Sequence, residues 1–199
     1  MESRDWDRKW EEREEPRTEP SRFLVACAEG MRPGRALDLA CGAGRNAVWL
    51  AERGWRVTAV DFSGVGLAKA RVRAAERGVE LEWVRADLLE YAPPAGAFDL
   101  VLVLYLQLPA AELRIVLASA ASALAPGGAL LVVGHHVDNL TQGWGGPKSA
   151  DVLYTAGDVI SELSGLAIDR AERVVRTVEE EDGVHEAIDA LVLATRPRA

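Results

Sequence analysis

Short, dense apolar runs alternate along this chain with longer stretches in which apolar residues recur at helical spacing. The first run, Arg35 to Leu39, is apolar in its interior except for Asp38. A turn bearing Gly42 and Gly44 follows. Next comes a helical pattern through Val48, Trp49, Leu50 and Ala51 that stops at Arg53-Gly54. Trp55, Val57, Ala59 and Val60 then lead as a second strand into Asp61. Strand, glycine turn, helix and strand make one βαβ unit, with a small-molecule site expected at the carboxyl ends of its strands.

The same rhythm predicts the remaining elements. Ser21 caps a helix whose apolar stripe is Phe23, Leu24, Ala26, Cys27, Ala28 and Met31, and Arg32-Pro33-Gly34 turns into the first strand. Ser63 caps a helix to about Arg77, closed by Gly78. Leu81 to Arg85 is a strand that reaches Ala86-Asp87-Leu88, and Pro93 to Gly96 is a loop. Phe98 to Leu104 (FDLVLVL) has the near-continuous apolar character of a central strand covered on both faces. Pro109 to Leu124 is a helix punctuated by Pro126-Gly127-Gly128. Ala129 to Val133 is another buried strand, running on to Gly134-His135-His136. The glycine-rich loop Gln142 to Pro147 is expected near the site mouth or without fixed structure. Thr155 to Leu163 is the last helix. Ile168 to Glu179 and His185 to Thr195 then form a hairpin through Glu181-Asp182-Gly183.

The chain thus alternates strand and helix five times and closes with a hairpin. The fold class this predicts is α/β: a doubly wound, Rossmann-like sheet of seven strands, mostly parallel with an antiparallel C-terminal hairpin strand, and helices on both faces. Residues 21–199 read as one domain. Residues 1–20 are dense in charge and set off by Pro16 and Pro20. Trp6 and Trp10, four apart, share a helical face there. Two readings stand for this segment: a solvated helix with two aromatic anchors, or a lid that closes over a ligand.

Composition narrows the partners. Thirty-one acidic against 23 basic residues leave a net charge of -8, which disfavours a polyanion, so no nucleic-acid partner is expected. No apolar run approaches the roughly 18 residues of a membrane span. The N-terminal twenty residues are too charged for a secretory leader, and two cysteines make no disulfide framework. The expectation is a cytoplasmic protein with no membrane partner, its oligomeric state open.

Gly42-Ala43-Gly44-Arg45-Asn46-Ala47 fits the dinucleotide fingerprint G-x-G-x-x-G/A, with Asp61 about twenty residues on. Alone this is weak. Four features point away from a nicotinamide cofactor: Asp38 four residues before Gly42, Asp87 ending the third strand, Pro126-Gly127-Gly128 before the fifth strand, and the closing hairpin. Together they resemble the class I S-adenosylmethionine-dependent methyltransferases. The acid-x-Gly-x-Gly-x-Gly motif of that family stands here as Asp38-Leu39-Ala40-Cys41-Gly42-Ala43-Gly44, with Ala40 departing from the first glycine. The resemblance covers about Arg35 to Thr195. The Asp5-Trp6-Asp7-Arg8-Lys9-Trp10 start and the Cys-Gly-x-Gly-Arg-Asn turn are similar, within the family, to the small-molecule group around tellurite-resistance and thiopurine methyltransferases.

The resemblance implies S-adenosyl-L-methionine as cofactor, S-adenosyl-L-homocysteine as product, and a set of cofactor-binding positions. Asp38, Ala40, Cys41, Gly42 and Gly44 would cradle the methionine and ribose portions, and Arg45 would reach the carboxylate. Asp61 would accept both ribose hydroxyls. Phe62 would lie against adenine, and Ala86, Asp87 and Leu88 would border its edge. Leu104 and Tyr105 would wall the methionine end. Structural alternatives stand beside these: Asp61 or Asp87 as helix or turn caps, Arg45 solvated, Asp38 bound only to the turn's amides.

The implied function is methyl transfer to a small-molecule substrate by in-line displacement, with a thiol or other soft nucleophile as one acceptor class. His135, His136 and Tyr105 are the catalytic candidates, His135 and His136 lying on the substrate side of the sheet. Trp10, Gln107 and Trp144 are candidate substrate walls. Adjacent histidines without a third ligand do not make a metal site, so no metal is expected. Two other classes stay open: an NAD(P)-binding oxidoreductase, against which the missing Tyr-x-x-x-Lys pair argues, and a non-catalytic S-adenosylmethionine-binding protein.

Overall fold

The computed structural model describes residues 3–12, 18–180 and 182–198. Among them, seven strands form one sheet: β1 (Arg35–Leu39), β2 (Arg56–Asp61), β3 (Glu82–Arg85), β4 (Phe98–Leu104), β5 (Leu124–His135), β6 (Ala167–Glu180) and β7 (Gly183–Thr195). Their spatial order is β3-β2-β1-β4-β5-β7-β6. β1 to β5 pair in parallel, and β7 lies antiparallel between β5 and β6. This is the mostly parallel, doubly wound sheet that the apolar pattern predicts.

Both faces are buried, and side-chain alternation sorts the strand residues between them. Leu37, Leu39, Val101, Val103, Leu130 and Val132 face a layer made by α5 (Ala110–Ala123) and α7 (Ala156–Ser161). Ala36, Leu100, Leu102, Leu131 and Val133 face α2 (Arg22–Ala28), α3 (Arg45–Glu52) and α4 (Gly64–Glu76). Asp38, between Leu37 and Leu39, therefore points to the α3 side.

Ser63 caps α4 by accepting the Gly66 amide, and Thr155 and Asp158 make a reciprocal capping box on α7. Ser21 sits at the N-cap of α2, but its hydroxyl makes no cap bond. Its amide instead donates to Asn46 Oδ1 at 2.9 Å, tying α2 to α3. The connection from β3 to β4 is the expected loop, carrying a turn at Asp87 to Tyr91 before two prolines that lack backbone donors. Two expectations need correction. Pro126-Gly127-Gly128 does not precede β5 but lies inside it, as a bulge where the ladder jumps from Phe98–Leu124 to Leu100–Ala129. The short helix α6 (Asn139–Gln142) and a 3-10 turn at Ala150–Val152 were not foreseen, because neither has an apolar period.

The N-terminal helix α1 (Ser3–Glu12) packs on α4. The expected break at Pro16 lies outside the described residues. At the other end of the chain, the β5–β7 ladder stops at His135–Asp189, while β6 and β7 run on together to Glu180–Gly183. The hairpin therefore rises past the carboxyl edge of the parallel strands.

Strand order reverses between β1 and β4, which is where a doubly wound sheet opens a crevice. The two non-glycine residues with positive φ among those described follow these two strands: Ala40 at 62° and Tyr105 at 58°. Left-handed backbone is strained for an L side chain by about 1 kcal/mol or more. Ala40→Gly removes that strain, so the urea midpoint should rise, by up to ~1 kcal/mol in unfolding free energy after the extra entropy of the unfolded chain is offset. A fall would mean that the Ala40 methyl contributes more packing than its backbone stores in strain.

Candidate functional site

The crevice is built from the turns that follow β1, β2 and β4. After β1 the chain passes through Ala40, sends the Cys41 amide to the Val60 carbonyl at 3.0 Å, and turns through Gly42 and Gly44 into α3. Gly42 and Gly44 have φ of 54° and 75°. A Cβ on Gly42 would stand 2.6 Å from the Trp10 ring, and one on Gly44 would stand 2.8 Å from Ala70. Glycine is required at both positions for conformation and for space.

Asp61 ties this turn to the next. Its Oδ2 accepts the Gly42 amide and its Oδ1 the Ser63 amide, each at 2.8 Å. Burial raises its pKa, and those same amides oppose the shift. Each oxygen keeps a second lone pair for another donor. Asp38 is 1% exposed, and its Oδ2 has no hydrogen-bond partner. Burial, then the nearby Asp61 charge, pushes its pKa up to about 7, opposed by Arg45 and the Ala47 amide. A buried carboxylate with an empty acceptor is an open position for a cationic or donor group.

The other expected cofactor positions follow β2 and β3 or end β4. Ala86 donates its amide to the Asp61 carbonyl at 3.1 Å. Asp87 accepts the Leu89 amide through Oδ1 at 2.9 Å, which is the turn-capping role. Leu88 packs into the α5-side core, Leu104 is buried, and Phe62 is half-buried. Asp7 of α1 accepts from Ser63 Oγ at 2.5 Å and from the Val65 amide at 3.3 Å, docking α1 on the start of α4. Trp10 lies against Gly42 and Gly66, and Lys69 donates to its carbonyl.

A second cluster stands beside the crevice. Asp189, fully buried on β7, accepts Tyr105 Oη at 2.9 Å and Arg176 Nε at 2.6 Å through Oδ2. His135 Nδ1 is 3.4 Å from its other oxygen. That is ion-pair range but off the hydrogen-bond direction, because neither atom has a hydrogen-bond partner. Burial alone would raise the Asp189 pKa, but His135, Arg176 and Tyr105 hold it below the usual carboxylate range. Burial and the Asp189 charge push the Tyr105 phenol up, so it is a donor and not a base. Arg45 and Arg176 lie 5.9 and 5.5 Å from the Tyr105 ring centre.

Asp189 and Arg176 escaped the sequence reading. The available signal was a carboxylate inside the apolar run Ile188 to Ala194, which must be paired to be buried. Tyr105 and His135 come together, with ring centres 5.3 Å apart. His136 does not join them: its Nδ1 accepts the Asp138 amide at 3.1 Å, and its own amide donates to the Ile188 carbonyl. Trp144 stacks on His185 at 3.7 Å and 7°, and its amide donates to the Glu186 carbonyl. The glycine-rich loop is thus pinned to the hairpin, with Gly146 against the His135 ring. Gln107 is half-buried in the loop between β4 and α5. Among the described residues, no group of three or more His, Cys, Asp or Glu has the geometry to hold a metal. No helix among them is long and apolar enough to cross a membrane.

Residues 36–128 match the family described as Methyltransferase domain. Over 129 residues the chain is 34% identical to the ubiquinone biosynthesis O-methyltransferase of Cronobacter sakazakii, covering 63% of this chain and 53% of that protein. Over 114 residues it is 41% identical to the demethylmenaquinone methyltransferase of Thermus thermophilus, covering 56% and 52%. The chain spans about half the length of these curated relatives. The N-methyltransferase NodS of Bradyrhizobium japonicum, solved in complex with S-adenosyl-L-homocysteine, superposes with a TM-score of 0.75 at 20% identity, covering 98% of both chains. Residues 36–128 thus resemble a methyltransferase domain, and the whole chain shares the fold of these solved methyltransferases.

Proposed function

We propose that this chain transfers a methyl group from S-adenosylmethionine to a small-molecule acceptor. The observation that carries the reading is Asp38: a buried carboxylate with an unpartnered oxygen, beside a glycine turn that Asp61 clips. That environment suits an ammonium group and two ribose hydroxyls. It disfavours a pyrophosphate, which would meet the buried Asp38 carboxylate beside the turn, so an NAD(P)-binding oxidoreductase is disfavoured.

When bound, the cofactor supplies a methyl carbon already activated by a sulfonium. The chain's own residues align and enclose. Asp38 takes the ammonium, with Arg45 turned to the carboxylate. Gly42 and Gly44 permit close backbone approach. Asp61 accepts the ribose hydroxyls with its remaining lone pairs, Phe62 lies along adenine, and Asp87 with the Leu88 amide borders its edge. Leu104 and Tyr105 close the methionine end. Trp10, already against Gly42, acts as part of a lid that keeps water from the sulfonium. Gln107 and Trp144 flank the acceptor side.

The acceptor class rests on finer grounds. The tryptophans of α1 and the Arg45-Asn46 pair support the likeness to the tellurite-resistance and thiopurine group, and with it a soft nucleophile such as a thiol. The name of the Cronobacter relative supports an oxygen acceptor instead. The net charge of -8 favours a small acceptor over a nucleic acid. A binding protein without turnover would keep the cofactor cradle and show no methyl transfer to any acceptor.

Calorimetric titration with S-adenosylhomocysteine tests the cradle. Asp61→Ala should weaken binding by ~1–3 kcal/mol through lost charge-assisted bonds, and Trp10→Ala should weaken it by a smaller amount in a domain that stays folded. Unchanged affinity in Asp61→Ala would remove Asp61 from the site.

Asp38 gives a pH signature. With a folded pKa near 7, the free protein binds more protons than the unfolded chain between about pH 4 and 7, so this group's contribution lowers stability as pH rises through that window. Asp38→Asn should therefore stabilise the free protein at pH 8, by ~2 kcal/mol, and yet weaken S-adenosylhomocysteine binding. Loss of stability in that variant would mean that the carboxylate is already satisfied without a ligand.

A further inference from the structure

We infer that His135, positioned by Asp189, is the base that takes the proton from an acceptor hydroxyl, and that the acceptor is a phenol or enol. This rests on the methyltransferase reading of the same crevice. His135 Nδ1 is buried, with Asp189 Oδ1 as its nearest acceptor at 3.4 Å. Only the tautomer with the proton on Nδ1 gives that orphan oxygen a donor, and a small turn of the ring closes the bond. Nε2 is then left as a lone pair. Among the described residues it has no hydrogen-bond partner, and it is not among the buried unpartnered atoms, so it is open to an incoming group.

The groups behind the imidazole set its chemistry. Asp189 is held by Tyr105 Oη and Arg176 Nε on its other oxygen. That pairing keeps Asp189 ionised, so it stabilises the imidazolium without taking the proton itself. The charged or titratable neighbours are Tyr105 after β4, Asp189 on β7, Arg176 on β6, Arg45 on α3 at the Tyr105 ring, and Tyr154 ahead of α7. The glycine-rich loop adds only the backbone of Gly146 over the ring. Among the described residues no other base stands in this cluster: Tyr105 is a committed donor and His136 is turned to Asp138.

The acceptor O–H bond breaks, its electron pair stays on oxygen, and the proton passes to Nε2 and then to solvent. The oxygen is then the nucleophile: as its bond to the methyl carbon forms, the bond from that carbon to the sulfonium would break, the electron pair staying on sulfur and leaving the neutral thioether product. A thiol ionises near neutral pH and gains little from such a base, whereas a phenol gains much. A positioned His–Asp pair therefore favours oxygen over sulfur.

The test uses the full chain with S-adenosylmethionine and two probe acceptors, catechol and thiophenol, across pH. Catechol methylation should rise with pH along an acidic limb. H135Q should lower kcat on catechol about 100-fold, and the loss should be at least about tenfold larger than on thiophenol. D189N should shift the limb to lower pH, since the carboxylate that favours imidazolium is gone, and Y105F, which strips one donor from a carboxylate that Arg176 still keeps ionised, should give a smaller shift to higher pH in a chain that keeps its fold. S-adenosylhomocysteine affinity should be unchanged in H135Q. A limb that survives H135Q, equal losses on both acceptors, or no turnover of catechol overturns the assignment. If S-adenosylhomocysteine binding persists in those cases, the methyltransferase cradle stands without the base. If wild type does not bind it, the underlying reading fails instead.

Discussion

The Asp61 carboxylate, bound by the Gly42 amide on one oxygen and the Ser63 amide on the other, is the constraint on which the rest depends. It joins the turn after β1 to the turn after β2, and so sets the two walls of the crevice relative to each other. Burying a carboxylate is unfavourable unless donors surround it, and here the donors are backbone amides that the turns would otherwise leave unpaired. The conformation that frees those amides needs Gly42 and Gly44 at positive φ, and it leaves Ala40 strained. Ser63 then serves twice, capping α4 with its hydroxyl and docking Asp7 of α1.

The second half of the site comes from the other end of the chain. Because β7 enters the sheet antiparallel beside β5, Asp189 arrives opposite His135, and β6 brings Arg176 alongside. The overhanging hairpin supplies a polar wall next to a nearly apolar parallel sheet. The polar cluster is thus set apart from the glycine turn, and Tyr105 belongs to it from the parallel sheet: its backbone follows β4 in a strained turn, and its hydroxyl reaches Asp189.

The glycine turn was legible in the sequence because its logic is local. Within 27 residues, an acid at a strand end, two glycines, a helix and a second acid state the turn, but not the two amide bonds by which Asp61 clips it. The capping of α4 by Ser63 and the hairpin at Asp182-Gly183 were legible for the same reason. The polar cluster was not, since Tyr105 and Asp189 lie 84 residues apart and only strand insertion brings them together. His135 and His136 looked equivalent as neighbours. The pleat separates them, sending one toward Asp189 and the other back to Asp138. Pro126-Gly127-Gly128 read as punctuation, because nothing local shows that Gly127 and Gly128 pair with Arg196 across the bulge.

The central claim is that the glycine turn cradles a methyl donor and not a dinucleotide. Competitive binding tests it most directly: titrate the full chain by calorimetry with S-adenosylhomocysteine and, separately, with NAD. The account predicts saturable binding of S-adenosylhomocysteine at one site per chain and no heat of binding with NAD. Saturable binding of NAD, with none of S-adenosylhomocysteine, would contradict it.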